Sequence, residues 1–497
     1  RGAWLSVQRH FAEMGIDVQT DAVRVVGCGD MSGDVFGNGM LLSKAIRLCA
    51  AFDHRHIFLD PDPDPAKSWK ERQRLFKLPR SSWDDYDRKL ISKGGGVFPR
   101  SQKSIPLTPE VQAMLGLSVA EIDPPSLISA ILKAPVDLLW FGGIGTYLKA
   151  ASQNNAEVGD PANDALRVDA EDLRVRVVGE GANLGVTQAA RIAFAAKGGR
   201  INADFIDNSA GVDCSDNEVN IKIALNREMA EGRLAQDDRD ALLVRMTDDV
   251  AELVLEDNRL QALALSIAER GGAEAVPSLV RIIETFEATG RLDRKVEGLA
   301  ANDELLRRSA EGRGLTRPEL AVLLSTAKLA LQDAIEQSDL PDDPALADDL
   351  AAAFPAEMQR DFAEAIAHHQ LRKEIIATKL ANRIVNRIGI VHPFELVEEE
   401  GCTLGDVAAA FVAVERLLDM RDLWAALDTA RIDEGIRLSL FRQASAAMAS
   451  QIADLLRTGA GLSHPGQAVA RLEPGVDRLA ATVDTLLSES VRSQWDR

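Results

Sequence analysis

Short, nearly unbroken apolar runs, separated by helical stretches and glycine-rich turns, mark the chain from about Val23 to Asn220: Val23-Arg-Val-Val26, His56-Ile-Phe-Leu59, Val136-Asp-Leu-Leu-Trp140 and Arg174-Val-Arg-Val-Val178. Such runs read as strands covered on both faces, and their alternation with helical patterns predicts βαβ units on a parallel sheet. After about Ile221 the period changes. Leu242, Met246, Val250, Leu253 and Val254 recur at helical spacing, as do Leu371, Ile375, Leu380, Ile384 and Ile388 further on. Thr316-Arg-Pro-Glu319 has the form of a capping box ahead of the apolar run Leu320-Ala-Val-Leu-Leu324. The pattern predicts an α/β, doubly wound parallel sheet over residues 1–225 and a mostly α-helical domain over residues 226–497.

Composition narrows the classes of function. Among 497 residues, 46% are hydrophobic and 27% charged, the balance of a globular protein. Lys and Arg number 57 against 77 Asp and Glu, a net charge of -20 that repels nucleic acid and anionic membrane alike. The four cysteines, Cys28, Cys49, Cys214 and Cys402, form no CxxC pair, so neither disulfides nor a structural metal are expected and the chain reads as cytoplasmic. Arg1-Gly-Ala-Trp-Leu has neither signal-peptide layout nor an initiating Met, which suggests a front part outside this sequence. Along the helix containing Ile375, the basic residues Arg372, Lys373, Lys379, Arg383 and Arg387 read as a solvated face in preference to a docking stripe.

Four polar-glycine turns carry the candidate chemistry. In the first, Val23-Arg-Val-Val-Gly27-Cys-Gly29-Asp30-Met31-Ser32-Gly33, a strand ends in close-set glycines and a helix through Leu48 is expected next. This is the Rossmann-like arrangement that brings backbone N–H groups up to a pyrophosphate, although Ser32 stands where the third fingerprint glycine belongs. The next strand ends at Asp60, where a carboxylate can accept the adenosine-ribose hydroxyls and repel a 2′-phosphate; an ordinary acidic turn is the alternative. Trp140-Phe-Gly-Gly143-Ile-Gly-Thr146, Glu180-Gly-Ala-Asn183 and Asn208-Ser-Ala-Gly-Val212-Asp-Cys-Ser215 follow. Together they predict a crevice for NAD.

The last two motifs, in this order and spacing, resemble those that close the cofactor domain of glutamate dehydrogenases. Gly29-Asp-Met-Ser-Gly-Asp-Val-Phe-Gly-Asn-Gly39, Asp53-His-Arg-His-Ile-Phe-Leu-Asp60 and His369-Gln-Leu-Arg-Lys-Glu-Ile-Ile-Ala-Thr-Lys-Leu-Ala381 resemble the large bacterial NAD-specific subgroup. The turn pattern predicts NAD contacts from Gly27, Gly29, Met31, Gly33, Asp60 and Gly143, and the resemblance implies further ones from Asp30, Asn183 and Asn208 and a glutamate pocket lined by Val212 and Ser215. The resemblance also implies oxidative deamination of L-glutamate to 2-oxoglutarate and ammonia by a homo-oligomer, with the catalytic Lys and Asp on an upstream domain and none in this chain. By itself Ser215 also fits a helix N-cap. Ala195-Ala-Lys197-Gly-Gly199 imitates the family's catalytic Lys-Gly-Gly but reads as a helix C-terminus, and Lys93-Gly-Gly-Gly-Val-Phe-Pro-Arg100 reads as a nucleotide-covering loop or a plain surface loop. Alternatives are a non-catalytic nucleotide-binding module or a dehydrogenase for another amino acid.

Overall fold

The computed structural model describes residues 1–459 and 464–488. The chain forms two compact units, one of Arg1–Val219 with Thr247–Leu323, the other of Asn220–Met246 with Leu324–Arg497.

The first unit is built on a six-stranded mixed sheet. Its strands are β1 (Val23–Cys28), β2 (Ile46–Phe52), β3 (His56–Leu59), β4 (Gly96–Pro99), β5 (Leu138–Phe141) and β6 (Val177–Glu180), in the order β6-β5-β1-β2-β3-β4. The four strands β6, β5, β1 and β2 are parallel to their neighbours, whereas β3 runs antiparallel to β2 and β4 antiparallel to β3. Alternation along the strands supplies both faces. Val25, Leu138 and Val177 enter one apolar cluster with Phe36 and Trp140, and Val26, Leu139 and Val178 enter the other with Phe52 and Phe141. Each fully buried Val or Leu contributes about 1.5–3 kcal/mol, so the continuous apolar runs follow from two covered faces.

Two features depart from the sequence-based expectation. The sheet is not wholly parallel, and the helix after the first glycine turn is only Asp34–Gly39, because Ile46–Phe52 is a strand paired with β1 in place of a continued helix. The segment His56–Leu59 is therefore the return arm of a hairpin on β2.

The second unit is helical among its described residues. In the helix Arg372–Ile388, residues Ile375, Leu380, Ile384 and Ile388 are buried as their spacing requires. The basic stripe on this helix is not simply solvated. Arg372 and Lys373 pair with Asp342, Arg383 with Asp349 and Glu415, and Arg387 with Asp428. Its acidic partners are supplied by the same unit.

Candidate functional site at the carboxyl edge of the sheet

The four parallel strands all deliver polar or glycine-containing turns to one edge. Gly29–Gly33 follows β1, Asp53-His54 follows β2, Gly142–Gly145 follows β5 and Gly181–Asn183 follows β6. The chain goes from β1 to β2 on one side and later returns to place β5 on the other side of β1. At such a reversal, adjacent turns diverge and leave a crevice.

Gly29 has φ +135°, and a Cβ there would lie 2.8 Å from the Phe36 ring. Its glycine is thus required by backbone conformation and by the close approach of Phe36. Gly27 is likewise closed by the Trp140 carbonyl and Phe36, and Gly143 by the Cys28 sulfur, while Gly33 faces open space apart from the Asp30 carbonyl. Asp30 Oδ1 accepts from Ser32 N (2.8 Å), Ser32 Oγ (2.5 Å) and Gly33 N (3.2 Å), which turns the chain into the short helix. Met31 is buried in the core with Phe36 and Trp83, so its side chain has no access to the crevice.

The two candidate acids are separated by the hairpin. Asp60 N bonds to Cys49 O, which puts Asp60 four residues short of Asp53 along β2, roughly 13 Å back from the carboxyl edge. It is 0% exposed and accepts from Ser92 N at 3.0 Å and from Ser92 Oγ. Burial raises its carboxyl above the usual range. Asp60 therefore anchors the segment leading to Lys93-Gly-Gly-Gly and is not brought to the crevice. That glycine loop is itself tied down: Thr108 Oγ1 donates to Gly94 O at 2.9 Å, and a Cβ on Gly95 would meet Leu59 O at 2.4 Å.

Asp53 occupies the position that the sequence pattern assigns to Asp60. It ends β2 with 7% exposure; Oδ1 closes the hairpin by accepting Arg55 N (2.7 Å) and His56 N (2.6 Å), and Oδ2 has no hydrogen-bond partner. Single side-chain ligand atoms of Asp30, Asp53 and His54 lie within 4.8 Å of one another.

At the other end of the edge, Asn208 Nδ2 donates to Asn183 Oδ1 at 2.7 Å. Thr146 Oγ1 donates to Leu184 O at 2.8 Å and joins the turn after β5 to that after β6; Ile144, at the tip of the former, is 95% exposed. Below lies a set of buried charges of which only Glu180 stands in a motif singled out from the sequence. Arg191 donates to both oxygens of Glu180 at 2.8 Å and approaches Asp204 at 3.1 Å. Asp204 Oδ2 accepts Leu184 N at 2.8 Å, and Asp207 Oδ2 accepts Glu180 N at 3.0 Å. Burial, opposed by Arg191, pushes Glu180 up to about 7; burial likewise pushes Asp207 up to about 6.

A cavity of about 280 Å³ adjoins this end, lined among others by Asp34, Asn38, Trp140, Gly181, Asn208, Gly211 and Cys214, with Val254 from the helix Thr247–Glu269. Val212 and Ser215 do not line it. The helix carrying them begins at Ser209, so Ser215 is not its N-cap; Val212 is 68% exposed, and Ser215 Oγ reaches Gly211 O at 3.5 Å. Lys197 is the C-cap of the helix Gln188–Ala196, and its Nζ donates to Glu171 O, outside the crevice turns.

Residues 1–268 match the family model for the bacterial NAD-glutamate dehydrogenase catalytic domain. The chain belongs to that family. Residues 312–497 match the glutamate dehydrogenase C-terminal model. The chain is 47% identical over 497 residues to the NAD-specific glutamate dehydrogenase of Pseudomonas aeruginosa, covering all of this chain and 31% of the relative. It is 50% identical over 438 residues to that of Mycobacterium tuberculosis (87% of this chain, 27% of the relative) and 44% identical over 498 residues to that of Halomonas elongata (100% and 31%). It thus spans under a third of the length of these relatives. No helix among the described residues is long and apolar enough to cross a membrane.

Proposed function

We propose that the carboxyl edge of the sheet is a dinucleotide crevice of the doubly wound, Rossmann-like kind, and that the chain supplies the NAD site and one wall of the glutamate pocket of an NAD-dependent glutamate dehydrogenase. The observation that carries the reading is the convergence of all four parallel-strand turns on one edge, with an unpartnered, buried carboxylate oxygen at the end of β2. In the assembled enzyme, L-glutamate would give 2-oxoglutarate and ammonia. Homo-oligomeric assembly and a cytoplasmic location belong to the same reading.

Bound NAD would supply the hydride acceptor, and this chain's residues hold and orient it. Asp53 Oδ2 accepts ribose hydroxyls, a role its free lone pairs fit and a 2′-phosphate would oppose. Asp30 and the N–H groups as far as Gly33 shape the turn toward the phosphates. The amides of Asn183 and Asn208 retain donors and acceptors for the nicotinamide ribose and carboxamide. Val212 and Ser215, on the exposed face of their helix, form the pocket wall toward glutamate. We assign the water-activating lysine and the proton-relaying aspartate to polypeptide outside this sequence.

Calorimetric titration of the chain with NAD tests the reading. Asp53→Ala removes charge-assisted hydrogen bonds worth roughly 1.5–3 kcal/mol, so NAD affinity is expected to fall tenfold to a hundredfold, while Asp60→Ala leaves it within about twofold. An Asp60→Ala loss with a silent Asp53→Ala would reverse the assignment. No NAD binding by the unsubstituted chain would favour a scaffold role.

A further inference from the structure

Beneath the Asn183–Asn208 pair runs a buried polar chain that starts well outside the crevice. Arg317, the first residue of the helix Arg317–Glu336, is 2% exposed. Its Nε donates to Asn202 Oδ1 at 2.9 Å, and Asn202 Nδ2 donates to Asp207 Oδ1 at 2.8 Å. Asp207 Oδ2 then accepts the Glu180 N–H, and Asn208 is the next residue. The remaining guanidinium donors go to Ser266 Oγ (3.1 Å), Glu269 Oε2 (3.0 Å) and Ala262 O (3.4 Å).

The polarity of this chain is forced. Between a guanidinium, which only donates, and an ionised carboxylate, which only accepts, the Asn202 amide satisfies both neighbours in a single orientation. That orientation commits Asp207 Oδ1 to Asn202 and leaves Oδ2 for the peptide that opens the Glu180–Asn183 turn. One carboxylate therefore fixes both the β6 turn that presents Asn183 and the backbone that presents Asn208. Its own setting depends on Arg317. Among the described residues this chain does not reach Asp30 or Asp53: the Asp30 and Asp53 carboxylates bond within their own turns, and the Asp53 carbonyl accepts from Arg100 Nη1 at 2.8 Å. The linkage also joins two stretches matched by different family models, since Arg317 lies in the C-terminal match and Asn202 and Asp207 in the catalytic-domain match.

We propose that Arg317 is a positioning residue for the nicotinamide-facing half of the crevice, acting through Asn202 and Asp207 on Asn208 and Asn183, while the adenosine half at Asp30 and Asp53 is independent of it. The proposal rests on the NAD reading above. It is tested with Asn202→Ser, Arg317→Met and the double variant, each titrated with NADH and with ADP-ribose, which lacks the nicotinamide. NADH affinity is expected to fall about tenfold in each single variant, with no further fall in the double variant, because both break the same chain. ADP-ribose affinity is expected to stay within about twofold, which general loosening of the fold would not allow. Equal losses for the two ligands, additive losses or no loss would each overturn the proposal. Where Arg317→Met does not fold because Glu269 and Glu13 lose one cation and keep Arg200, Asn202→Ser decides alone, since it leaves those contacts intact. If the unsubstituted chain binds neither ligand, the cofactor reading fails, and this proposal with it.

Discussion

Replacing Arg191 with methionine is expected to destabilise the first unit by roughly 3–5 kcal/mol at pH 7, the cost of removing one partner from a buried ion pair. Arg191 and Glu180 have side-chain exposures of only 7% and 0%, and the guanidinium also serves Asp204. Without it, Glu180 and Asp204 lose their shared cation beneath the β6 turn, with Asp207 close by. Even with Arg191 present, burial holds Glu180 well above the carboxylate range. Its loss raises Glu180 further, so the folded variant already holds this acid largely neutral at pH 7, and the deficit is expected to change by less than about 1 kcal/mol between pH 7 and pH 5. Replacing both partners, Glu180→Leu with Arg191→Met, is expected to recover more than half of the loss, because neither side of the pair is then left charged. Urea unfolding at pH 5 and pH 7 checks all three statements. A single-variant loss under about 1 kcal/mol would mean that solvent reaches the pair, as in an exposed ion pair.

The edge of the sheet is legible in the sequence, but one hidden strand misplaces its acid. Lys44-Ala-Ile-Arg-Leu-Cys-Ala-Ala-Phe52 is rich in strong helix formers, and only burial against β1 and β3 makes most of it a strand. With β2 read as helix, His56–Leu59 becomes the second strand and Asp60 its terminal acid. The interval from Gly29 to Asp60 exceeds the usual spacing of about 20 residues, whereas Gly29 to Asp53 is 24 residues, close to it. That interval is the signal the sequence offers. The glycines stand out in the sequence, and the structure adds a reason that the sequence does not show, since Phe36 and Trp140 exclude side chains at Gly27 and Phe36 does so at Gly29. The Arg317–Asn202 pairing carries no such signal, because the partners are 115 residues apart and the capping box Thr316-Arg-Pro-Glu319 announces only a helix start. Local turns carry local signatures; buried pairings between distant segments do not.

Asp207→Asn is expected to gain about 2 kcal/mol relative to the parent chain as the pH rises from 4 to 7. Burial raises the Asp207 carboxyl from its ordinary 3.8 to about 6, and each tenfold difference in proton affinity between the folded and unfolded chain corresponds to about 1.4 kcal/mol. The sign follows from which state binds protons more tightly. A carboxyl with a raised folded value contributes stability that is complete below about pH 3.8 and is lost as the pH climbs through 6, where ionisation must occur inside the fold. Asparagine never ionises, so the variant escapes that loss. It carries a constant penalty of its own, because its amide nitrogen would confront Asn202 Nδ2 or the Glu180 N–H, and it is expected to be the less stable protein at pH 4. Other titrating groups are common to both proteins and cancel, except Glu180, which Asp207 pushes upward and which therefore shifts the difference in the same direction. Burial, and then the nearby Arg317 and Arg200, hold the His10 ring well below its ordinary value. Urea denaturation of both proteins at half-unit pH intervals gives the difference directly. A flat difference would mean that Asp207 is ionised at pH 4 already, fully satisfied by Asn202, the Glu180 N–H and the nearby charge of Arg317.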